Sequence, residues 1–431
     1  MAIYRFWEKN TTGDPTRKDI LGGKGANLAR MAALGLPVPP GLTLSAKMCG
    51  IYQKTPEKLM EALWEDLPHH LDWLVKKSPV CLYSVRSGAA VSMPGMMDTI
   101  LNIGITEDTI EQYEKKLTKK TAWDCYRRLY QMYGNVVFEI PASTFEKAID
   151  KAKKYTTKHK DGSPIEDIST ADFTVTDLKR VVDYFKKILE ANDKYLPQTF
   201  SEQVDGAVRA VFGSWNNPRA TAYREANNIP HDMGTAVTIQ QMVFGNRNDK
   251  SATGVMFTRN PQTGEKRLMG EFLVNAQGED VVAGTHDPLP IQQLEDWNAG
   301  LYGELKALAD YLEKEVQDMQ DIEFTIESGK LWVLQTRNGK RTARAAIRIA
   351  WDMFEEGRLG FDQACKSITS KQYFGASVPT FTQPDTPHAL QGLPVCDGAV
   401  TGVACKDLAS VKAAVSAGHK AILVRHETTP D

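Results

Sequence analysis

Residues 321–337 read DIEFTIESGKLWVLQTR, two runs of alternating character around the turn signal ESGK. On a strand, residues two apart project from one face, so Asp321 and Glu323 share a face while Ile322 and Phe324 take the other. In the second run Gln335 and Arg337 alternate with Trp332, Leu334 and Thr336. Two carboxylates facing open space suit a divalent cation, since Mg2+ takes one or two carboxylates together with substrate phosphates. An edge strand with solvated acidic residues would show the same pattern. The hairpin register separates these readings. A three-residue loop (Ser328, Gly329, Lys330) sets Glu323 opposite Gln335 and Asp321 opposite Arg337, with all four on one face. A two-residue Ser-Gly turn puts the pairs on opposite faces, because a one-residue slip inverts every side chain.

Outward from this hairpin, strand signals dominate residues 232–284, in TAVTIQQMVFG, TGVMFTRNP and GEFLVNAQGEDVVAG, and a helix is expected near Gly300 to Met319. Residues 342–356 predict an amphipathic helix with Ala343, Ala346, Ile347, Ala350 and Phe354 on one face and Gly357 as its stop. Residues 370–391, rich in Pro, Thr and Gln, predict a linker, and GLPVCDGAVTGVA and AILVRHETTPD predict the opening strands of a further domain. Upstream, residues 106–197 are charged, Gly-poor and helical, with Trp123, Tyr126, Tyr130 and Tyr133 spaced as a buried helix face. That segment is expected to be a mobile cap or a separate subdomain.

Two further segments carry chemistry. In ILGGKGANLARMAALGLPVPPG (20–41), Lys24 lies between glycines just before a short helix. The pattern is not a Walker A loop, because Gly25 stands where Ser or Thr is required. Flanking glycines nevertheless let backbone approach an anion at a helix N-terminus, where Lys24 adds a point charge; an exposed turn lysine is the other reading. In SVRSGAAVSMPGMMDT (84–99), Arg86 ends an expected strand and its guanidinium can fork onto phosphate oxygens. Gly95 would let a loop fold over a triphosphate, with Met93, Met96 and Met97 excluding water or simply packing.

Composition bounds the function class. The 431 residues are 42% hydrophobic and 25% charged with a net charge of −2, which suits a multidomain globular protein and gives no reason to expect nucleic acid as a partner. Six scattered cysteines without a CxxC pair argue against a zinc or disulfide framework. No secretory signal and no apolar run of membrane-spanning length appears, so a cytoplasmic protein without membrane contact is expected.

Taken in order, GGKGANLARMAALGLPVPPG, SVRSGAAVSMPGMMDTILNIG, FGSWNNPRA, GTAVTIQQMVFGN, TGVMFTRNPQTGEK, GEFLVNAQGEDVVAG and MQDIEFTIESGKLWVLQTRNGKRTA resemble the signature segments of the pyruvate, phosphate dikinase family. SWNNPRA and NAQGEDVVAG favour it over phosphoenolpyruvate synthase and the rifampicin phosphotransferases. The resemblance implies an α+β, ATP-grasp nucleotide-binding fold. Its first lobe would comprise 1–111 and 198–244, with a mainly helical insert at 112–197. The second lobe would span 245–340, followed by a helix and linker at 341–388 and the start of a swivelling phosphohistidine domain at 389–431. By motif, Lys24, Arg86 and Arg337 would hold ATP phosphates, and Gly95, Met96, Met97, Asp98 and Thr99 would form a phosphate-covering loop. Gln240, Gln241, Met242 and Val243 would line the adenine slot, with Glu279 near the ribose. Asp321, Glu323 and Gln335 would face Mg2+ and the phosphates. The implied reaction converts ATP, phosphate and pyruvate to AMP, pyrophosphate and phosphoenolpyruvate through a histidine that attacks the β-phosphate of ATP.

The sequence departs from that pattern. No histidine stands in a segment like GGMTSHAAVVAR, so the phosphoacceptor and the pyruvate-binding barrel are expected to be missing, and phosphate and pyruvate would be met only through them. Ala90 and the CDG at 396–398 also depart from the family's choices, and the stretch from Leu44 to Val80 is short. Expected partners are ATP and a homodimer mate or a chain carrying the missing half. A non-catalytic ATP-binding or split-enzyme subunit and a phosphoenolpyruvate synthase-like dikinase are the competing readings.

Overall fold

The computed structural model describes residues 2–78, 81–91, 93, 95–155, 170–278, 288–377 and 399–424. The chain forms two compact units, one of Met1–Thr253, Val274–Gly278 and Glu323–Thr336, the other of Gly254–Leu273, Glu279–Ile322 and Arg337–Asp431. Helices and largely antiparallel sheets make it an α+β protein.

The first unit contains strands β1 (Ile3–Trp7), β2 (Asn10–Thr11), β3 (Gly41–Leu44), β4 (Tyr83–Gly88), β5 (Thr99–Ile103) and β6 (Ala236–Gln241), in the sheet order β2-β1-β3-β6-β4-β5. Directly opposed residues share a face, so the register separates two surfaces. Leu42, Ile239, Val85 and Ile100 form one row, and all four are fully buried. Thr43, Thr238, Arg86 and Thr99 form the adjacent row, which points the other way. The sheet is thus apolar on one side and polar on the side that carries Arg86.

Helices fill the apolar side. Lys119–Val136, Val175–Glu190 and Phe200–Gly213 begin at Thr118, Thr174 and Thr199, whose side chains each accept a hydrogen bond from a first-turn N–H, satisfying donors that a helix cannot. Tyr126, Tyr130 and Tyr133 are buried and Trp123 partly so, as their helical spacing predicted. Phe145 meets Phe185 edge-on with ring centroids 5.0 Å apart. These side chains and the sheet's apolar row belong to one continuous core.

The next strands are β7 (Ala252–Phe257), β8 (Met269–Val274), β9 (Leu289–Pro290), β10 (Gln320–Glu327) and β11 (Lys330–Asn338), in the order β11-β10-β7-β8-β9; β7, β8, β10 and β11 each contribute residues to both units. In the second unit, helix Ala343–Glu355 starts at the capping Thr342 and ends before Gly357, whose φ is 70°. It buries Ala345, Ala346, Ile349, Ala350 and Met353. The buried stripe is therefore rotated from the expected one: Ile347 and Phe354 lie at its margins, partly buried.

Arg259 is fully buried in this unit and hydrogen-bonds the carboxylates of Glu313 and Glu356. Further along, β12 (Val403–Cys405) and β13 (Ala421–Leu423) pair in parallel, joined through helix Leu408–Ser416.

Candidate functional site

The hairpin β10–β11 combines both registers that the sequence left open. Ser328 and Gly329 have φ of 50° and 83°, the positive pair that a two-residue turn requires, so Glu327 faces Lys330. At the far end, however, the Gly339 amide donates to the Met319 carbonyl at 3.0 Å, which makes those two residues opposite. Lys330–Gly339 thus carries one residue more than Met319–Glu327. Outward bonds locate the extra residue. The Val333 amide donates to the Pro37 carbonyl at 2.9 Å, and the Thr336 carbonyl accepts from Asn27 Nδ2 at 2.9 Å. Both backbone groups point away from β10 although they are three positions apart, so the phase changes at Leu334–Gln335. This is a β-bulge opposite Glu323. The expectation that a two-residue turn would split the polar pairs between faces is corrected: beyond the bulge, Glu323 faces Gln335 and Asp321 faces Arg337. In the second unit, Arg337 Nε donates to Asp321 Oδ2 at 2.7 Å.

The GGKG turn sits against the end of β4. Gly22 has φ 66° and interrupts helix Lys18–Ala33, so the continuous turns begin just after it. A Cβ on Gly22 would fall 1.6 Å from the Gly88 carbonyl oxygen. The Gly23 amide donates to the Ala89 carbonyl at 2.9 Å, and a Cβ on Gly88 would lie 3.2 Å from Lys24 Cβ. Lys24 is thereby held beside the strand that carries Arg86. Across from it, Arg86 Nη2 lies 3.7 Å from Glu323 Oε2, with about a fifth and a third of the two side chains exposed. The first unit therefore brings together Lys24's turn, Arg86 and Glu323.

Gly95, with φ 72°, opens a loop that ends in Thr99, opposite Arg86 in the ladder. Met96 and Met97 are partly buried and pack against the core. Burial pushes the Asp98 carboxyl above its ordinary range, partly offset by the positive charge of Arg219. The loop is tied down by residues that sequence reasoning left without a role: Asn217 Nδ2 donates to the Met96 carbonyl at 3.0 Å, and the Asp98 amide donates to Ser214 Oγ at 3.4 Å. The signal was present in SWNN, whose Asn precedes a helix-starting Pro.

The proposed adenine segment lies at and beyond the end of β6. Gln240 is buried and its Nε2 donates to the Pro39 carbonyl at 3.1 Å. Gln241 is partly buried, and its side-chain oxygen accepts from the Ser78 hydroxyl. Met242 Sδ accepts from the Asn102 amide at 3.1 Å, and Val243 is half-buried. Three of the four side chains are thus already engaged by the protein itself. Glu279 lies outside the described residues.

Chemically, the first unit offers the Arg86 guanidinium and the lysine-bearing turn beside the Glu323 carboxylate. No helix among the described residues is long and apolar enough to cross a membrane. Residues 51–297 and 292–358 match the family described as pyruvate phosphate dikinase, AMP/ATP-binding domain. Across its full length the chain is similar to the pyruvate, phosphate dikinase of Clostridium symbiosum, at 44% identity over 49% of that protein. It is also similar to the chloroplastic forms of Flaveria trinervia and Arabidopsis thaliana, at 42% identity over 45% of each. The chain spans about half the length of the curated relatives it matches. With the family match covering well over half of its residues, the chain belongs to the pyruvate phosphate dikinase AMP/ATP-binding domain family.

Proposed function

We propose that this chain is the ATP-binding portion of a pyruvate, phosphate dikinase, with the overall conversion of ATP, phosphate and pyruvate to AMP, pyrophosphate and phosphoenolpyruvate. In this reading the fold is of the ATP-grasp type, with a first lobe of 1–111 and 198–244, a helical insert at 112–197 and a second lobe at 245–340. Two antiparallel sheets on successive parts of the chain support it. The observation that carries the functional reading is the meeting of Arg86 with Glu323, 3.7 Å apart, beside the Gly22–Gly88 contact that seats Lys24.

Phosphoryl transfer needs positioning and charge neutralisation more than covalent help from the protein. Lys24 and Arg86 supply positive charge to the phosphates. Arg337 adds a second guanidinium, paired with Asp321 until a phosphate competes for it. The donor set fits Mg2+: Asp321 and Glu323 are hard oxygen ligands on one strand face, leaving the remaining positions to phosphates and water. Mg2+ would neutralise charge on the phosphate chain, while the loop Gly95–Thr99 would cover it and exclude water. Gln335, opposite Glu323, would orient that carboxylate or a phosphate oxygen. The acceptor is a histidine outside these motifs, attacking the β-phosphate with AMP as leaving group.

Calorimetric titration with a non-hydrolysable ATP analogue, with and without Mg2+, tests this reading beside a Glu323→Ala variant. Saturable binding that Mg2+ strengthens, and that the variant loses, is the expected result. Absence of binding by the unaltered chain under both conditions would overturn it.

A further inference from the structure

The segment Ser214–Asn217 is unusually well anchored for a connection between helices. Trp215 is almost wholly buried, and its Nε1 donates to the His231 carbonyl at 2.8 Å. The buried Arg224 guanidinium stacks on its ring at 4.2 Å and donates to the Trp215 carbonyl. Ser214 Oγ gives its proton to the Val211 carbonyl at 2.8 Å, which leaves its lone pairs for the Asp98 amide. Asn217 divides its carboxamide between two elements. Oδ1 caps helix Pro218–Ala226 by accepting from the Ala220 amide at 2.7 Å, and Nδ2 holds the Met96 carbonyl.

We infer that Asn217 is a positioning residue for the loop Gly95–Thr99, fixing the backbone on one side of Met97 while Ser214 fixes the other. The role is distinct from helix capping, which uses only the oxygen. It bears on ligand because the loop runs directly into Thr99, the ladder partner of Arg86. Loosening Met96 therefore loosens the backbone arriving beside the guanidinium. The inference rests on the reading of this loop as a phosphate cover, and it adds what holds the cover in place.

Asn217→Asp separates the two functions of the side chain. A carboxylate still caps the helix, and favourably so at a helix N-terminus, but it has no proton to give Met96. Asn217→Ala removes both functions. Hydrogen–deuterium exchange of the peptide covering 95–98 is read on the full chain, beside titration with a non-hydrolysable MgATP analogue and with AMP, which lacks the β- and γ-phosphates. For Asn217→Asp the expected result is faster exchange at 95–98 and an unchanged Tm. Affinity for the analogue should fall on the order of tenfold, the scale of one lost hydrogen bond that leaves an acceptor unmatched, and AMP affinity should stay the same. Asn217→Ala should add a lowered Tm. Unchanged exchange in Asn217→Asp overturns the inference whatever the nucleotide does. Faster exchange with undiminished analogue binding overturns the positioning role. Failure of the unaltered chain to bind the analogue instead overturns the ATP-site reading, and exchange alone then decides whether the tether exists.

Discussion

Gly22 and Gly88 meet backbone to backbone, with no room for a Cβ on the first: it would stand 1.6 Å from the second's carbonyl oxygen. A positive φ at Gly22 adds to the constraint, since L-residues adopt it only under strain. Gly22→Ala is expected to cost at least about 2–4 kcal/mol in urea unfolding. Gly50 lies within helix Ala46–Tyr52, and a Cβ added there would meet nothing within 4 Å. Gly50→Ala should instead add up to about 1 kcal/mol.

Arg86 and Glu323 are partly exposed at 3.7 Å, so their mutual attraction contributes little to folding. Arg86→Gln should change unfolding stability by less than about 1 kcal/mol. If the pair serves ATP, the same change should weaken analogue binding by roughly tenfold or more, because a charged donor to phosphate is worth more than a neutral one. Arg86→Lys should fall between, keeping the charge and losing the fork. Denaturant melts beside calorimetry read both numbers.

Acid should unfold the second unit through its carboxylates. Burial opposes ionisation of Glu356, but hydrogen bonds from Arg259 and Lys266 outweigh it and hold its carboxyl at about 2 against an ordinary 4.5. A folded-state value below the unfolded one means stability that is complete above about 4.5 and is lost as pH falls toward 2. The contribution at neutral pH is up to about 3 kcal/mol. Glu356→Gln should flatten the stability–pH curve over that window. Arg259→Met should cost about 3–5 kcal/mol by removing the guanidinium from the buried Glu313 carboxylate, which keeps only the Thr258 hydroxyl and the more distant Arg358.

Asp98 has the opposite sign. Burial raises its carboxyl in the folded chain, so the folded state holds the proton more tightly and loses stability as pH rises through that range. Asp98→Asn should therefore stabilise the chain at pH 7 and make no difference near pH 3. Thermal melts at the two pH values decide it. A gain in Tm accompanied by weaker analogue binding would mark Asp98 as a residue kept for ligand at the expense of stability.

Much of this was legible in residue order. Alternation in DIEFTI announced the buried Ile322 and Phe324, and the aromatic spacing from Trp123 to Tyr133 announced a packed helix. The hairpin's phase was not legible, because LWVL is apolar at every position from Leu331 to Leu334 and leaves no alternation in which a one-residue shift would show. The helix beginning at Ala343 was placed correctly but rotated, since its alanines pack almost equally well on adjoining faces and neighbouring chain decides among them. The tether at Asn217 was missed for a different reason: its partner is a main-chain carbonyl at Met96, and backbone acceptors have no residue type to read.

The bulge at Leu334–Gln335 gives this hairpin one residue of slack in length. Substituting Leu334 by another apolar residue preserves the count, so the polar groups beyond it keep their facing. Deleting one residue there would remove the bulge and leave a regular two-residue-turn ladder, with Gln335 still facing Glu323 and Arg337 still facing Asp321. For mutational searches of this chain, a missing codon at the bulge leaves the facing of these groups intact, whereas one lost between Gln335 and Arg337 would break it.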